Sequence, residues 1–211
     1  MRKIEEVIKG TIDVSEEARR TYSHDASIFE VKPAAVIQPQ DVEDIKQLVK
    51  VVSEQRQKGK NVSIAARNGG TCMSGGSLTQ GYVVDVSQLN KIGEINKKNK
   101  ILKVQGGVMH SEVEKATHPH GLLFAPYTSS HDICGIGGMI GNNASGEKSV
   151  KYGATSKNIE NLKAILADGN EYKFGPLTPE QLEQKKAQHN FEGELYRQIT
   201  ALIEKNQSVI S

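Results

Sequence analysis

The sequence predicts an α+β chain of two lobes, the first of them an α/β unit. Three observations carry this. Between residues 33 and 90, short apolar runs alternate with one amphipathic helix as strand, helix, strand, strand. From residue 91 onward, short apolar runs pair across turn signals and are followed by helices. Two glycine-rich segments, one in each lobe, interrupt the pattern. The expected division is an N-terminal arm, 1–32, a first lobe, 33–90, and a second lobe, 91–211.

The arm is polar and is expected to hold one short helix. Ala34–Ile37 follows Pro33 and reads as a strand. Gln40 to Lys58 reads as a helix. Val42, Ile45, Leu48, Val49 and Val52 recur at three-and-four spacing, and Asp41, Glu43 and Asp44 sit where the helix dipole favours acids. Gly59 stops it. Val62–Ala66 is the next strand and leads into the first glycine segment, and Tyr82–Val86 is the third strand. Ligands of α/β sheets gather at such strand C-termini. In the second lobe, Ile92–Ile95 and Ile101–Val104 read as strands joined by a basic turn, and Ser111–Thr117 as a helix. Ile159–Ala167 and Glu171–Phe174 form a hairpin around Asp168-Gly169. Thr178–Gln188 and Glu192–Lys205 are helices, the first capped by Thr178 with Pro179 behind it.

Composition narrows the function. The 211 residues carry a formal charge of +2 from 27 basic and 25 acidic side chains, a balance unlike that of a dedicated nucleic-acid binder. No apolar run is long enough to span a bilayer. The N-terminal residues lack the apolar stretch of a signal peptide. Two cysteines, Cys72 and Cys134, make no disulfide framework, so a reducing, cytoplasmic compartment is expected and both read as small packing residues. Aromatic residues are only 5% and Trp is absent, so Ile, Val, Leu and Ala must build the core. His24, His110, His118, His120, His131 and His189 have no metal-ligand spacing, and no metal site is expected. They read as surface or capping residues; His131 stands apart because it lies inside the second glycine segment.

The first segment, Arg67 to Ser77, contains Gly69, Gly70, Gly75 and Gly76 with Thr71, Ser74 and Ser77. Such a loop can expose successive backbone N–H groups and add hydroxyl donors, which suits a diphosphate. It is no P-loop, because no Gly-Lys-[Ser/Thr] closes it. An ordinary glycine turn remains open. The second segment runs from Pro126 to Gly153. Ser129, Ser130, Gly135, Gly137 and Gly138 offer donors and small surfaces for a ring; Asn142, Asn143, Ala144 and Ser145 continue it. A tight glycine-packed crossing is the alternative. Together the segments point to an elongated ligand with a diphosphate and a ring system.

The stretch from Tyr22 to Gly169 resembles the FAD-binding domain of the vanillyl-alcohol oxidase / p-cresol methylhydroxylase family, closest to its D-lactate dehydrogenase and glycolate oxidase branch. The resemblance rests on Pro33–Pro39, Arg67-Asn68-Gly69-Gly70-Thr71, Gly121–Pro126, Cys134–Gly146, Lys151–Thr155 and Leu166–Gly169. It implies that Asn68 to Ser74, with Arg67 and Cys72, wraps the FAD diphosphate. Ser129 to Gly135 with Gly137 and Gly138 would line the diphosphate and flavin side, and Asn142 to Ser145 would continue that wall. Ile159 would approach the adenine through its backbone. The implied activity is oxidation of a small 2-hydroxy acid such as D-lactate or glycolate.

Three departures qualify the resemblance. Thr71 stands where tethering relatives carry His, and His131 near where doubly tethered ones carry Cys, so non-covalent FAD is expected. Gly135 stands where the family usually has Thr or Ser. The chain ends before a Gly-Ser-Glu-Gly segment and the substrate-capping domain that carry the rest of the machinery. No catalytic residue is assigned, and the isolated chain is expected to be inactive. The competing expectation is a non-catalytic fragment, or one half of a split enzyme completed by a partner chain.

Overall fold

The structure, a computed structural model, describes residues 2–210. The chain divides into two compact units, Met1–Ile159 and Glu160–Ser211.

The first unit opens with α1 (Arg2–Glu5), β1 (Thr11–Asp13) and α2 (Glu16–Thr21). The arm therefore holds two helices and a strand, not the single helix expected. There follow β2 (Ala35–Gln38), α3 (Val42–Gln57), β3 (Ile64–Arg67) and β4 (Tyr82–Asp85). One sheet has the order β1-β2-β4-β3. β2, β4 and β3 run parallel, and β1 pairs antiparallel to β2, with Ile12 opposite Ile37. The parallel strands at the centre are apolar on both faces, as such strands must be. Ala35, Ile37, Tyr82 and Val84 pack with Ile4, Leu48, Val51 and Val52 in one buried cluster.

Asp44 is buried under the start of α3. Asp41 caps that helix, accepting from the Asp44 amide at 3.0 Å. The Asp44 carboxylate is used elsewhere. It accepts the backbone N–H groups of Lys9, Gly10 and Gln40 at 2.8–2.9 Å. It is more than the dipole-favoured acid of a first turn, because it ties the arm to the sheet. Gly10 at this junction has no room for a side chain, since a Cβ would stand 2.1 Å from the Gln38 carbonyl oxygen.

The rest of the unit comprises the hairpin β5 (Ile92–Asn96) and β6 (Ile101–Val104), then α4 (His110–Thr117), α5 (Ile136–Gly141) and α6 (Ser149–Tyr152). The hairpin register shifts between Ile92 and Ile95. α5 lies inside the second glycine segment, where a loop was expected. Its Ile136 and Met139 pack with Val108, Val113 and Cys134 in a second buried cluster.

His110 is an interior residue, not a surface one. It is fully buried, with the rings of Phe124, Tyr127 and His131 around it at 5.9, 5.7 and 6.3 Å. Neither ring nitrogen makes a hydrogen bond of good geometry. Burial pushes the imidazole below its ordinary value; Glu114, 3.6 Å away, and the Phe124 and Pro126 carbonyls pull the other way without prevailing.

The second unit contains β7 (Leu162–Ile165), β8 (Glu171–Phe174), α7 (Pro179–Lys186), α8 (Phe191–Lys205) and α9 (Gln207–Ile210). β7 and β8 form an antiparallel hairpin whose turn has Gly169 at φ +75. Thr178 and Gln181 form a reciprocal capping box on α7. Asn190 caps α8. Ile199, Leu202 and Ile203 on α8 are exposed, and the buried apolar side chains all belong to the first unit among the described residues. None of these helices is long and apolar enough to cross a membrane.

Two predictions follow from this packing. Asp44→Ala should cost about 2–3 kcal/mol, the scale of hydrogen bonds to a charged group plus the amides left unpaired, measured by urea unfolding. For His110, the depressed value means that the unfolded chain takes up the proton first, near pH 6.5. The stability from the neutral ring is then present above that pH and lost as pH falls below it. The urea midpoint of the wild type should drop on acidification, and that of His110→Phe should drop less.

Candidate functional site

The first glycine segment begins where β3 ends. Gly70 and Gly75 take φ of +65 and +77, which L side chains rarely adopt. The loop is held from behind by the arm. Ala26 N–H donates to the Gly70 carbonyl at 3.0 Å, and Ser77 donates to Asp25 at 3.0 Å. The Arg67 guanidinium donates to the His24 carbonyl and lies over the Tyr22 ring. One of its nitrogens is thereby committed to the arm, and the guanidinium also occupies the space that a Cβ on Gly70 would need. Tyr22 in turn donates to the buried Asp85 at the end of β4. Burial and that bond push the phenol up to about 12. Burial alone would raise the Asp85 carboxyl, but hydrogen bonds from Tyr22 and Ser87 outweigh it and hold it low.

Thr71 and Cys72 are half-buried, and Ser74 is exposed. Cys72 Sγ lies 3.3 Å from Ser74 Oγ and accepts the Gly76 N–H at 3.3 Å. These hydrogen bonds, Ser74 first, hold the thiol below its ordinary value.

The two glycine segments meet directly. A Cβ on Gly69 would stand 1.9 Å from the Ile133 carbonyl oxygen, and one on Gly135 would stand 1.9 Å from Asn68 Nδ2. Both are glycine because the other segment fills the space. Asn68 Nδ2 donates to Gly107 O at 2.8 Å, while its Oδ1 is buried without a partner. Residues 134–137 also pair with 106–110. His110 N–H donates to Cys134 O, Ile136 N–H to Val108 O, and Gly137 N–H to Gly106 O. A Cβ on Gly137 would be 2.8 Å from that Gly106 oxygen. Gly106 and Gly107 thus belong to the site's frame, although sequence reasoning passed over them. The signal was a Gly-Gly pair one residue beyond a strand.

Gly138 and Gly141 differ. A Cβ on either meets nothing within 4 Å. Their bareness has no packing cause, and in a helix glycine is costly.

The remaining candidates lie along the same unit. Ser129 is exposed, and Ser130 Oγ lies 3.3 Å from Thr128 Oγ1. Asn142 and Ser145 are exposed. Asn143 has φ +45, and its Oδ1 accepts the Ser156 N–H. The Ala144 carbonyl accepts from both the Thr155 amide and hydroxyl. Gly146 packs on the Tyr127 carbonyl, which brings the end of this run back to its beginning. His131 is held by its own segment, with Nε2 bonded to Tyr127 Oη at 2.8 Å and Nδ1 to Thr128 O at 3.1 Å. Ile159 is half-buried at the unit's end.

This geometry can be set beside known proteins. A family described as "FAD binding domain" matches residues 33–175, more than half of the chain and both glycine segments. The chain is 34% identical over 203 residues to D-2-hydroxyglutarate dehydrogenase of Pseudomonas putida, covering 96% of this chain and 20% of that protein. It is 34% identical over 166 residues to glycolate oxidase subunit GlcD of Bacillus subtilis, covering 77% of this chain and 34% of that one. The chain therefore spans between a fifth and about a third of these two relatives. Among solved structures, 6-hydroxy-D-nicotine oxidase of Arthrobacter nicotinovorans superposes with a TM-score of 0.68 at 22% identity, over 80% of this chain and 36% of that one. The BBE-like 1 protein of Physcomitrella patens gives 0.69 at 21% identity, over 82% and 37%. The chain belongs to the FAD-binding domain family, with the vanillyl-alcohol oxidase / p-cresol methylhydroxylase type of fold.

Proposed function

We propose that this chain is the FAD-holding part of an enzyme that oxidises a small 2-hydroxy acid, such as D-lactate or glycolate, to the 2-oxo acid. The observation that carries the reading is the family match from 33 to 175, which contains both glycine segments. The substrate class is supported by the relatives, whose names specify 2-hydroxyglutarate and glycolate, both 2-hydroxy acids. FAD supplies the hydride-accepting chemistry, and the protein supplies binding and orientation.

The residues present fit that cofactor. Backbone amides of Asn68 to Ser74, in a loop that Gly70 and Gly75 turn through positive φ, would hold the diphosphate. Ser129, Ser130, Gly135, Gly137 and Gly138 would line the diphosphate and flavin side, with Asn142, Asn143, Ala144 and Ser145 beyond them. Ile159 would meet the adenine. The proposed lobes are 33–90, which carries the first segment, and 91–211, which carries the second. Thr71 cannot form the histidyl tether of relatives, and both nitrogens of His131 are engaged within its own segment; both support non-covalent FAD. The two free thiols support a reducing, cytoplasmic compartment.

A second reading is favoured by the second unit. With α8 exposing Ile199, Leu202 and Ile203, it has the character of a surface that further polypeptide covers. The 2-hydroxy acid would then turn over only when that polypeptide, as a substrate domain or a partner chain, is present.

Titration with FAD followed by acid precipitation tests the cofactor reading. Flavin is expected to bind and then to leave with the supernatant; flavin remaining in the pellet would overturn the non-covalent assignment. Two glycine substitutions separate frame from ligand contact. Gly69→Ala should cost about 1–3 kcal/mol of stability without any ligand, because the Cβ overpacks backbone. Gly138→Ala should instead stabilise the apoprotein by about 0.5–1 kcal/mol yet weaken FAD binding. Unaltered FAD affinity in Gly138→Ala would remove that residue from the site.

A further inference from the structure

The matched family domain begins at residue 33, so the arm is not part of it. Yet residues 22–29 of the arm touch the first glycine segment at its start, its turn and its end. At the start, the Arg67 guanidinium donates to the His24 carbonyl and lies over the Tyr22 ring, 5.0 Å from its centroid. At the turn, Ala26 N–H donates to the Gly70 carbonyl at 3.0 Å. The Phe29 ring lies 3.1 Å from where a Cβ on Gly75 would stand. At the end, Ser77 Oγ donates to Asp25 Oδ2 at 3.0 Å. Tyr22 also donates to Asp85, which stands opposite Arg67 in the β3–β4 register. The arm segment is closed on itself, because Val31 N–H donates to Ser23 O and Ser27 N–H to Asp25 Oδ1, both at 2.9 Å.

We infer that residues 22–27 of the arm are a positioning element for the diphosphate of FAD, acting by setting the plane of the Gly70–Thr71 peptide. The inference rests on the cofactor reading above and refines it. A loop that offers N–H groups to an anion must turn its carbonyls elsewhere, because a carbonyl oxygen facing phosphate is repelled. In a trans peptide the C=O and the N–H point in opposite directions, and the described residues include no cis bond. Ala26 holds the Gly70 carbonyl toward the arm. The Thr71 N–H is therefore presented on the side away from the arm, as a donor for the ligand. Gly70, at φ +65, permits that turn. Arg67 and Asp25 fix the two ends of the segment, so the peptide cannot swing while the arm is docked. Undocking the arm would return the ordering of this loop to the cost of binding.

Coupling of this kind is reciprocal, so the ligand must also hold the arm. Amide exchange of the wild type is followed by mass spectrometry alone, with FAD and with ADP. Both ligands are expected to slow exchange at residues 22–31 more than in β1, which pairs with β2. Slowing that is equal in β1 would be general stabilisation by a ligand and would overturn the inference. So would arm protection by FAD that ADP does not reproduce, since ADP carries the diphosphate. Two variants of the full chain give the converse, with affinities measured well below each melting temperature. Ala26→Pro removes the N–H that holds the Gly70 carbonyl, and Ser77→Ala releases the segment's end from Asp25. Each is expected to weaken FAD and ADP alike, about five- to tenfold. A folded Ala26→Pro with wild-type affinity would overturn the inference. Should Ala26→Pro fail to fold, Ser77→Ala decides, and wild-type affinity there would overturn it. A wild type that binds neither FAD nor ADP would overturn the cofactor reading itself.

Discussion

The contact on which the rest of the first unit depends is the approach of two backbone segments with almost no side chain between them. Gly69 faces the Ile133 carbonyl, Gly135 faces Asn68, and Gly137 faces Gly106. At these separations a methyl group cannot be accommodated by rotamer changes, because the opposing atoms are mostly backbone. The closeness lets Asn68 reach Gly107 and lets residues 134–137 pair with 106–110. Polar backbone that would otherwise need water is thereby satisfied. The loop conformation is set by the protein before any ligand arrives, which reduces the ordering cost of binding.

Closeness on one side requires support on the other. The arm provides it through polar contacts. Asp44 gathers the amides of Lys9, Gly10 and Gln40, fixing β1 at the sheet edge. Tyr22, Asp25 and the His24 carbonyl then engage Asp85, Ser77 and Arg67. Arg67 is thus part of what holds the loop.

Much of the fold was legible because periodicity and burial agree. α3 and the parallel strands β2, β3 and β4 carry apolar residues at the spacing their packing requires, and the structure moves their ends by only a residue or two. β1 was missed because three residues, Thr11-Ile12-Asp13, offer one inward side chain and no pattern. α5 was missed for the opposite reason. Gly137, Gly138 and Gly141 lower its helix propensity, and only tertiary packing of Ile136 and Met139 overrides that. His110 was misread as surface because an isolated histidine shows nothing of the apolar rings that enclose it. The glycine segments stand out by composition, but not the reason for each glycine, which depends on contacts across sixty residues of chain.

That reason separates two classes of glycine that look identical in the sequence. Gly69, Gly135 and Gly137 are required by the protein itself, so their presence would be the same with or without a cofactor. Gly138 and Gly141 have open space where a Cβ would go, and each weakens the helix that contains it. A residue that costs stability and touches nothing needs a cause outside the chain. The glycines at the crossing therefore define a frame that the chain needs for itself, whereas Gly138 and Gly141 are the ones its own packing does not explain.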